Sequence, residues 1–372
     1  SPQDILNKLS PTQRQIIGRI RRTGACSRNE LRQFFHITPE TISRLIGPLM
    51  DKKVLLSKTH VSLQGSRRNA LRINPGFMCA FGVEMGFTEM RMGLVDLGGA
   101  IIERAPIHPI AQLEPSDCAA IILDAYGKAA RQRPELNIAG IGIAYTGLIA
   151  PDNNHIERRY PLSRKWPSFP LVDALRKGCG GGSVALCPDT SAALLAEMRY
   201  GQARHCEDAL LVLMVDGIGL AMLSNGIIHL GRAGEGCEFG HLRVNTDGAY
   251  CYCGSTGCLE SLASSWAILR NAQNRLENGV VSHELTRAEA PSLTMHKISE
   301  AAIKSEVFAR GILAEAGQMI GKTLANAANL LYPTKAILAG ILAENEAFGP
   351  LIQGLRLGFQ NGLHQVRAPG AT

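Results

Sequence analysis

Apolar positions recur at helical spacing near the amino end of the chain and at strand-like spacing further on, and that change divides it. Ser10-Pro11 reads as a helix start, with Ser10 as cap and Pro11 in the first turn. Ile16, Ile17 and Ile20 then supply one apolar face up to Thr23-Gly24. Ser27-Arg28-Asn29-Glu30 is a capping box opening a second helix through Leu31, Phe34 and Phe35. After a turn at His36-Ile37, Thr38-Pro39 starts a third helix with Ile42, Leu45, Ile46 and Leu49 inward. Pro48 removes one of its hydrogen bonds, so this helix is expected to kink or shorten there. The order is that of a helix-turn-helix. The first turn of its third helix would offer Thr41, Ser43 and Arg44, beside Glu40, to a major groove. Two short apolar runs, 54–56 and 61–63, a polar turn at 64–69 and a return at 70–73 predict a wing. Arg67 and Arg68 are expected at its tip, in reach of phosphate or a minor groove. Asn74-Pro75-Gly76 marks a domain boundary.

Beyond it, runs at 80–86, 92–96 and 100–102 predict a meander of three strands, with Gly98-Gly99 between the last two. A helix follows over 116–131, then strands at 138–144 and 184–187 and a helix from Asp189 to Tyr200. A further strand at 209–215 begins a second α/β set, completed by a helix-rich tail from Ser299 with a strand at 336–338. The pattern is a mixed α/β chain with a duplicated unit. The expected divisions are 1–75, 76–190 and 191–372.

Composition sharpens this picture at two points. The net charge of +7 is uneven: residues 1–75 carry fourteen Lys and Arg against Asp4, Glu30, Glu40 and Asp51, a net +10, which leaves −3 for the rest. A basic module on a mildly acidic body is the electrostatic footprint of a DNA-binding arm, so double-stranded operator DNA is the expected partner. No apolar run reaches the length of a membrane span. The start lacks a signal-peptide pattern and most of the ten cysteines are scattered, so a reducing cytoplasmic setting is expected.

The densest chemistry lies between residues 234 and 260. His241, Cys251, Cys253 and Cys258 form a closed set for one structural zinc per chain, and Gly254 and Gly257 allow the backbone to turn tightly around it. Glu-x-x-His followed by Cys-x-Cys-Gly-x-x-Gly-Cys-x-Glu resembles the signature of the ROK family (repressors, open reading frames, sugar kinases), and the resemblance extends over nearly the whole chain. It is to the regulators of the N-acetylglucosamine- and xylose-repressor type. It implies a winged helix-turn-helix ahead of a two-lobed, actin-like (ribonuclease-H-like) body, and zinc on the four residues just named. It also implies homodimers or dimers of dimers, and sugar contacts from Glu238, His241, Glu260 and Asp189.

Kinases of that family need glycine-lined phosphate turns, where backbone N–H groups approach phosphate with no side chain between. Glu84-Met85-Gly86-Phe87-Thr88 departs from their Asp-x-Gly-Gly-Thr by placing Phe87 where glycine belongs. Val215-Asp216-Gly217-Ile218-Gly219-Leu220-Ala221 departs from their Gly-Thr-Gly-Ile-Gly-x-Gly, setting the Asp216 carboxylate against phosphate and adding the Ala221 methyl. Ala339-Gly340-Ile341 replaces a glycine-rich adenosine turn. Asp189 matches the catalytic base, here vestigial, and Pro161-Leu162 ahead of Trp166 replaces the substrate-loop Asn-Leu, with Arg158, Arg159 and Tyr160 nearby. The expectation is therefore a sugar-responsive repressor of carbohydrate-metabolism genes rather than an enzyme. The alternatives are a sugar kinase with an appended DNA-binding head and a regulator controlled by a docking protein.

Overall fold

In the computed structural model of the chain, residues 2–61, 67–158, 166–231, 236–246 and 248–364 are described, with the backbone alone for 2–3, 58–61, 67–68 and 158. They form two compact units, dividing after His205. Among the described residues no helix is long and apolar enough to cross a membrane.

The first unit starts with α1 (Pro2–Asn7), α2 (Pro11–Thr23), the short strand β1 (Cys26–Ser27), α3 (Arg28–Phe35) and α4 (Pro39–Asp51). Local chemistry sets these bounds. The Ser10 hydroxyl accepts from Gln13 N–H while the Gln13 side chain accepts from Ser10 N–H, and Ser27 and Glu30 do the same for α3. Thr38 caps α4. Pro48 does not shorten α4, which runs three residues further to Asp51; in the last turn the Pro48 carbonyl still accepts from Lys52 N–H. The strands β2 (Leu55–Val61) and β3 (Arg67–Ile73) pair antiparallel, and β1 adds to the far side of β3. Arg67 and Arg68 therefore stand on β3, opposite Val61 and His60, rather than in the turn. The ladder extends further than the apolar runs suggest because backbone pairing does not require apolar side chains. Residues 62–66, between the strands, lie outside the described residues. Ile16, Ile20, Leu31, Ile42, Ile46, Leu49 and Leu71 make the core of this head, and Phe77 and Met78 beyond Pro75 belong to the same core.

A six-stranded sheet follows. It contains β4 (Cys79–Met85), β5 (Glu89–Asp96), β6 (Ile101–Arg104) and the short β7 (His108–Pro109), then α5 (Pro115–Gln132) and β8 (Ile138–Tyr145). A two-stranded ribbon, β9 (Leu148–Ile149) and β10 (Ile156–Arg158), precedes α6 (Leu171–Gly178), β11 (Ser183–Pro188) and α7 (Asp189–Tyr200). The order β11-β8-β4-β5-β6 is parallel through β11, β8 and β4 and antiparallel through the meander. Parallel strands need crossovers, which α5 and α6 supply.

The second unit is built on the sheet β14-β13-β12-β15, from β12 (Ala209–Met214), β13 (Ile218–Ser224), β14 (Ile227–His229) and β15 (Lys335–Ala339). Its helices are α8 (Leu259–Ala263), α9 (Ser265–Glu277), α10 (Met295–Ile303), α11 (Val307–Leu331), α12 (Ile341–Glu344) and α13 (Gly349–Gly362). The core joins Leu210, Val212 and Met214 of the sheet to Ile312, Ile320 and Leu324 of α11 and Leu351 and Leu355 of α13.

Candidate functional site

The loop between β14 and α8 brings His241, Cys251, Cys253 and Cys258 together, with one ligand atom from each lying within 4.8 Å of all the others. Cys253 Sγ is 3.7 Å from Cys258 Sγ, and Cys251 Sγ is 3.6 Å from His241 Nδ1. A metal–sulfur bond of about 2.3 Å gives a tetrahedral edge of about 3.8 Å, so these spacings fit one ion among four donors. The loop can close this tightly because Gly257 has φ +71, and a Cβ on it would overlap the Asn245 carbonyl. Burial pushes the Cys251 thiol up to about 12 and lowers the His241 imidazole. His241 is therefore held in the neutral form that ligates, and the buried thiol would give up its proton to a divalent cation.

His241 has a second nitrogen, and Nε2 lies 3.8 Å from Glu238 Oε2. Glu238, with its side chain half-exposed, precedes the single turn at Phe239–His241 that sets the histidine in place. Glu260 is different. It is 3% exposed, its Oε2 accepts the Ile218 N–H at 2.8 Å and its Oε1 accepts Trp266 Nε1–H at 3.3 Å. Tyr252 adds a further bond to this carboxyl. Gly217 and Gly240 pack on it so closely that a Cβ on either would fall 2.9 Å from a carboxylate oxygen. Burial outweighs these bonds and pushes Glu260 up to about 7. Tyr252 also meets the edge of His241 at 5.4 Å between centroids, and Trp266 carries Arg270 over its ring at 4.9 Å. Neither aromatic is legible as functional in sequence, although Tyr252 stands between two ligands.

In the first unit, Asp189 opens α7. Its Oδ2 accepts the Thr146 hydroxyl at 2.6 Å and its Oδ1 the Thr190 N–H at 2.7 Å. Burial raises its pKa despite those bonds. Trp166 is fully buried in the core, whereas residues 159–165, including Arg159, Tyr160, Pro161 and Leu162, and the side chain of Arg158 lie outside the described residues.

The three turns that correspond to a kinase's phosphate and adenosine turns fall on two sheets, the last of them at Ala339-Gly340-Ile341 where β15 ends and α12 begins. Phe87 occupies the turn from β4 to β5, and Glu84 on β4 faces Arg91 at 3.8 Å. In the turn from β12 to β13 the Asp216 carbonyl accepts both Ser265 N–H and Ser265 Oγ–H. The Ile218 N–H of the same turn is the one already taken by Glu260.

On the head, Ser43 and Arg44 are exposed on α4 and Thr41 is half-exposed beside its cap residue Thr38. The side chains of Arg67 and Arg68 lie outside the described residues.

The model of the ROK family matches residues 80–356. The chain is 29% identical over 332 residues to the DNA-binding transcriptional dual regulator NagC of Escherichia coli K12, covering 86% of this chain and 78% of that one. It is 30% identical over 267 residues to a glucokinase of Halalkalibacterium halodurans, covering 70% and 79%. Among solved structures, a ROK family transcriptional regulator described as a homologue of the E. coli Mlc protein superposes with a TM-score of 0.78 at 23% identity, covering 95% of this chain and 88% of that one.

Proposed function

The chain belongs to the ROK family, and on that footing we propose that it is a sugar-responsive, DNA-binding transcriptional regulator that represses carbohydrate-metabolism genes. The observation that carries this is the head itself: a basic winged helix-turn-helix, with Ser43 and Arg44 exposed on α4, precedes the family's body in one chain. The likeness to NagC over 86% of the chain is longer than the body alone, so it reaches into the head, and it supports the same reading. Operator DNA is read by Thr41, Ser43 and Arg44 from α4, and Arg67 and Arg68 of β3 add phosphate or minor-groove contacts. A homodimer places two such heads on paired half-sites.

His241, Cys251, Cys253 and Cys258 hold one structural zinc. Four protein donors leave no open position for a reactive water, so the metal's contribution is to fix the loop that carries Glu238 and His241. The sugar's hydroxyls are received by Glu238 and His241. A carboxylate has about four lone-pair sites; Ile218, Trp266 and Tyr252 occupy three on Glu260, which leaves roughly one for a hydroxyl. Asp189 is the corresponding acceptor of the first unit. Sugar binding acts on DNA affinity by preferring one of two conformations, since a ligand shifts an equilibrium only through differential affinity.

ATP chemistry is absent from this reading. Phe87 fills the place where a backbone would approach phosphate, Asp216 brings a negative charge, and Glu260 takes the Ile218 amide. The kinase reading stays in play through the likeness to glucokinases, and a coupled ATPase assay over a sugar library separates the two. The regulator reading is tested by selecting binding sites from random duplex DNA with the full chain and then adding the sugars that raise its melting temperature. A selected site released or tightened by one sugar supports it. Sugar-dependent ATP turnover without DNA selectivity overturns it.

A further inference from the structure

The carboxy-terminal ends of α2 and α7 pack together within the first unit. Arg21 and Arg22 stand in the last turn of α2 and Arg199 in the last turn of α7, and Arg204 follows four residues after α7 ends. Gly24, the residue after α2, has φ +77, and a Cβ on it would run into the Arg204 guanidinium. Tyr200 is held beneath this junction, its hydroxyl donating to the Leu97 carbonyl and its ring filling the space beside Gly99.

Four arginines thus stand along one seam. Among the described residues none of the four is in an ion pair, and the Nε of Arg204 is buried with no hydrogen-bond partner. Glu197, one turn before the end of α7, has its Oε2 engaged by Gln202 N–H. The Arg21 guanidinium is weakened by burial and then by Arg199; burial weakens Arg199 as well, with Tyr200 acting against that and Arg22 adding to it. The carbonyl ends of the two helices offer only about half a charge each. Arg21 and Arg22 are exposed and Arg199 and Arg204 half-buried, and neighbouring cations of one sign attract an anion. Planar guanidiniums with forked donors match a tetrahedral oxyanion bidentately.

We propose that the seam between α2 and α7 is a binding site for a phosphate-class oxyanion, inorganic phosphate or a small phosphomonoester, held by Arg21, Arg22, Arg199 and Arg204. The strand register sets it away from the wing turn. Cys26 pairs with Leu71 and Ser27 with Ala70, so the chain running back toward Gly24 heads for the Ile73 end of β3, away from the wing turn. A bound oxyanion would tie the head to α7, the helix that Asp189 opens, which gives the regulator a second chemical input.

The test uses the full chain and inorganic phosphate. Melting temperature is measured in phosphate and in chloride at equal ionic strength for the wild type, Arg21→Gln with Arg199→Gln, Arg204→Gln, and Arg44→Ala. Phosphate's general salting effect acts on all four alike, so differences between them are the readout. The wild type and Arg44→Ala should gain stability from phosphate. Phosphate affinity by ³¹P titration should fall about tenfold or more in the seam variants, as the loss of charge-assisted bonds implies. In chloride the double variant should be no less stable than wild type, because it relieves repulsion; Arg204→Gln supplies the comparison if the double variant fails to fold. A phosphate gain that is missing from the wild type, or that persists in the seam variants, overturns the site. So does a flattened salt dependence of operator binding in the double variant, which would assign these arginines to DNA phosphates.

Discussion

Thr146 donates its hydroxyl proton to Asp189 across 2.6 Å, joining the residue after β8 to the first residue of α7. Burial raises the Asp189 carboxyl above the ordinary aspartate range even with this bond and the Thr190 N–H in place. The native state therefore keeps the proton to a higher pH than the unfolded chain does. From about pH 3.9, the ordinary value, up through the raised native value, folding takes up protons, so stability falls as pH rises across that window. Asp189→Asn should remove this slope. Urea midpoints of wild type minus variant are expected to decline with pH; a flat or rising difference refutes the assignment.

Thr146→Val keeps the shape and deletes the donor. The carboxyl retains Thr190 N–H but loses a bond of a kind worth roughly 1.5–3 kcal/mol when its partner is charged. The variant should be destabilised most above the pH at which Asp189 ionises and least below it. Equal losses at both ends of the pH range would show that the bond does not depend on the charge of Asp189.

The local part of this structure was legible in sequence and the long-range part was not. Ser10 and Ser27 were readable as caps because a cap and its partner lie three residues apart. The ligand set was readable because all four members stand on one loop. Thr146 and Asp189 lie 43 residues apart, and Ile218 and Glu260 lie 42 apart, so their pairing depends on how strands and helices are ordered. The sequence pattern sets Arg67 and Arg68 in a turn, whereas they pair in β3, because a strand edge made of polar residues leaves no apolar signal. Pro48 misled in the other direction: so near the end of α4, its lost hydrogen bond does not stop the helix.

Zinc should be present at one atom per chain by elemental analysis, and Cys253→Ser should lose it. The buried Cys251 thiol, high without a cation, would then reprotonate and the loop from His241 to Cys258 would loosen. Thermal unfolding with and without a strong chelator should differ for the wild type and coincide for the variant. A purified chain that is metal-free and equally stable removes zinc from the reading.

Operator binding should be strongly salt-dependent. Neutralising about six phosphates per dimer gives a slope near −5 in log K against log salt. Arg67→Ala with Arg68→Ala should flatten it by contributing fewer phosphate contacts. Arg44→Ala, exposed on α4, should weaken selected sites more than random duplex, since a base-edge contact carries about 1–3 kcal/mol of discrimination. Equal loss on both would move Arg44 to the phosphate-contact class.

Glu238→Gln separates effector recognition from the metal. Glu238 lies 3.8 Å from His241 Nε2, beyond hydrogen-bond range, while Nδ1 is the nitrogen beside Cys251. Glutamine retains one acceptor oxygen there, so zinc content should be unchanged. For the proposed sugar contact the half-exposed carboxylate matters, because glutamine removes the charge that would strengthen bonds from sugar hydroxyls. Effector affinity should fall about tenfold or more, with operator affinity in the absence of sugar intact. Titration calorimetry with the sugar found by thermal shift, run beside an anisotropy assay on the operator, reads both. An unchanged sugar affinity would move the effector away from this loop and favour control by a docking protein.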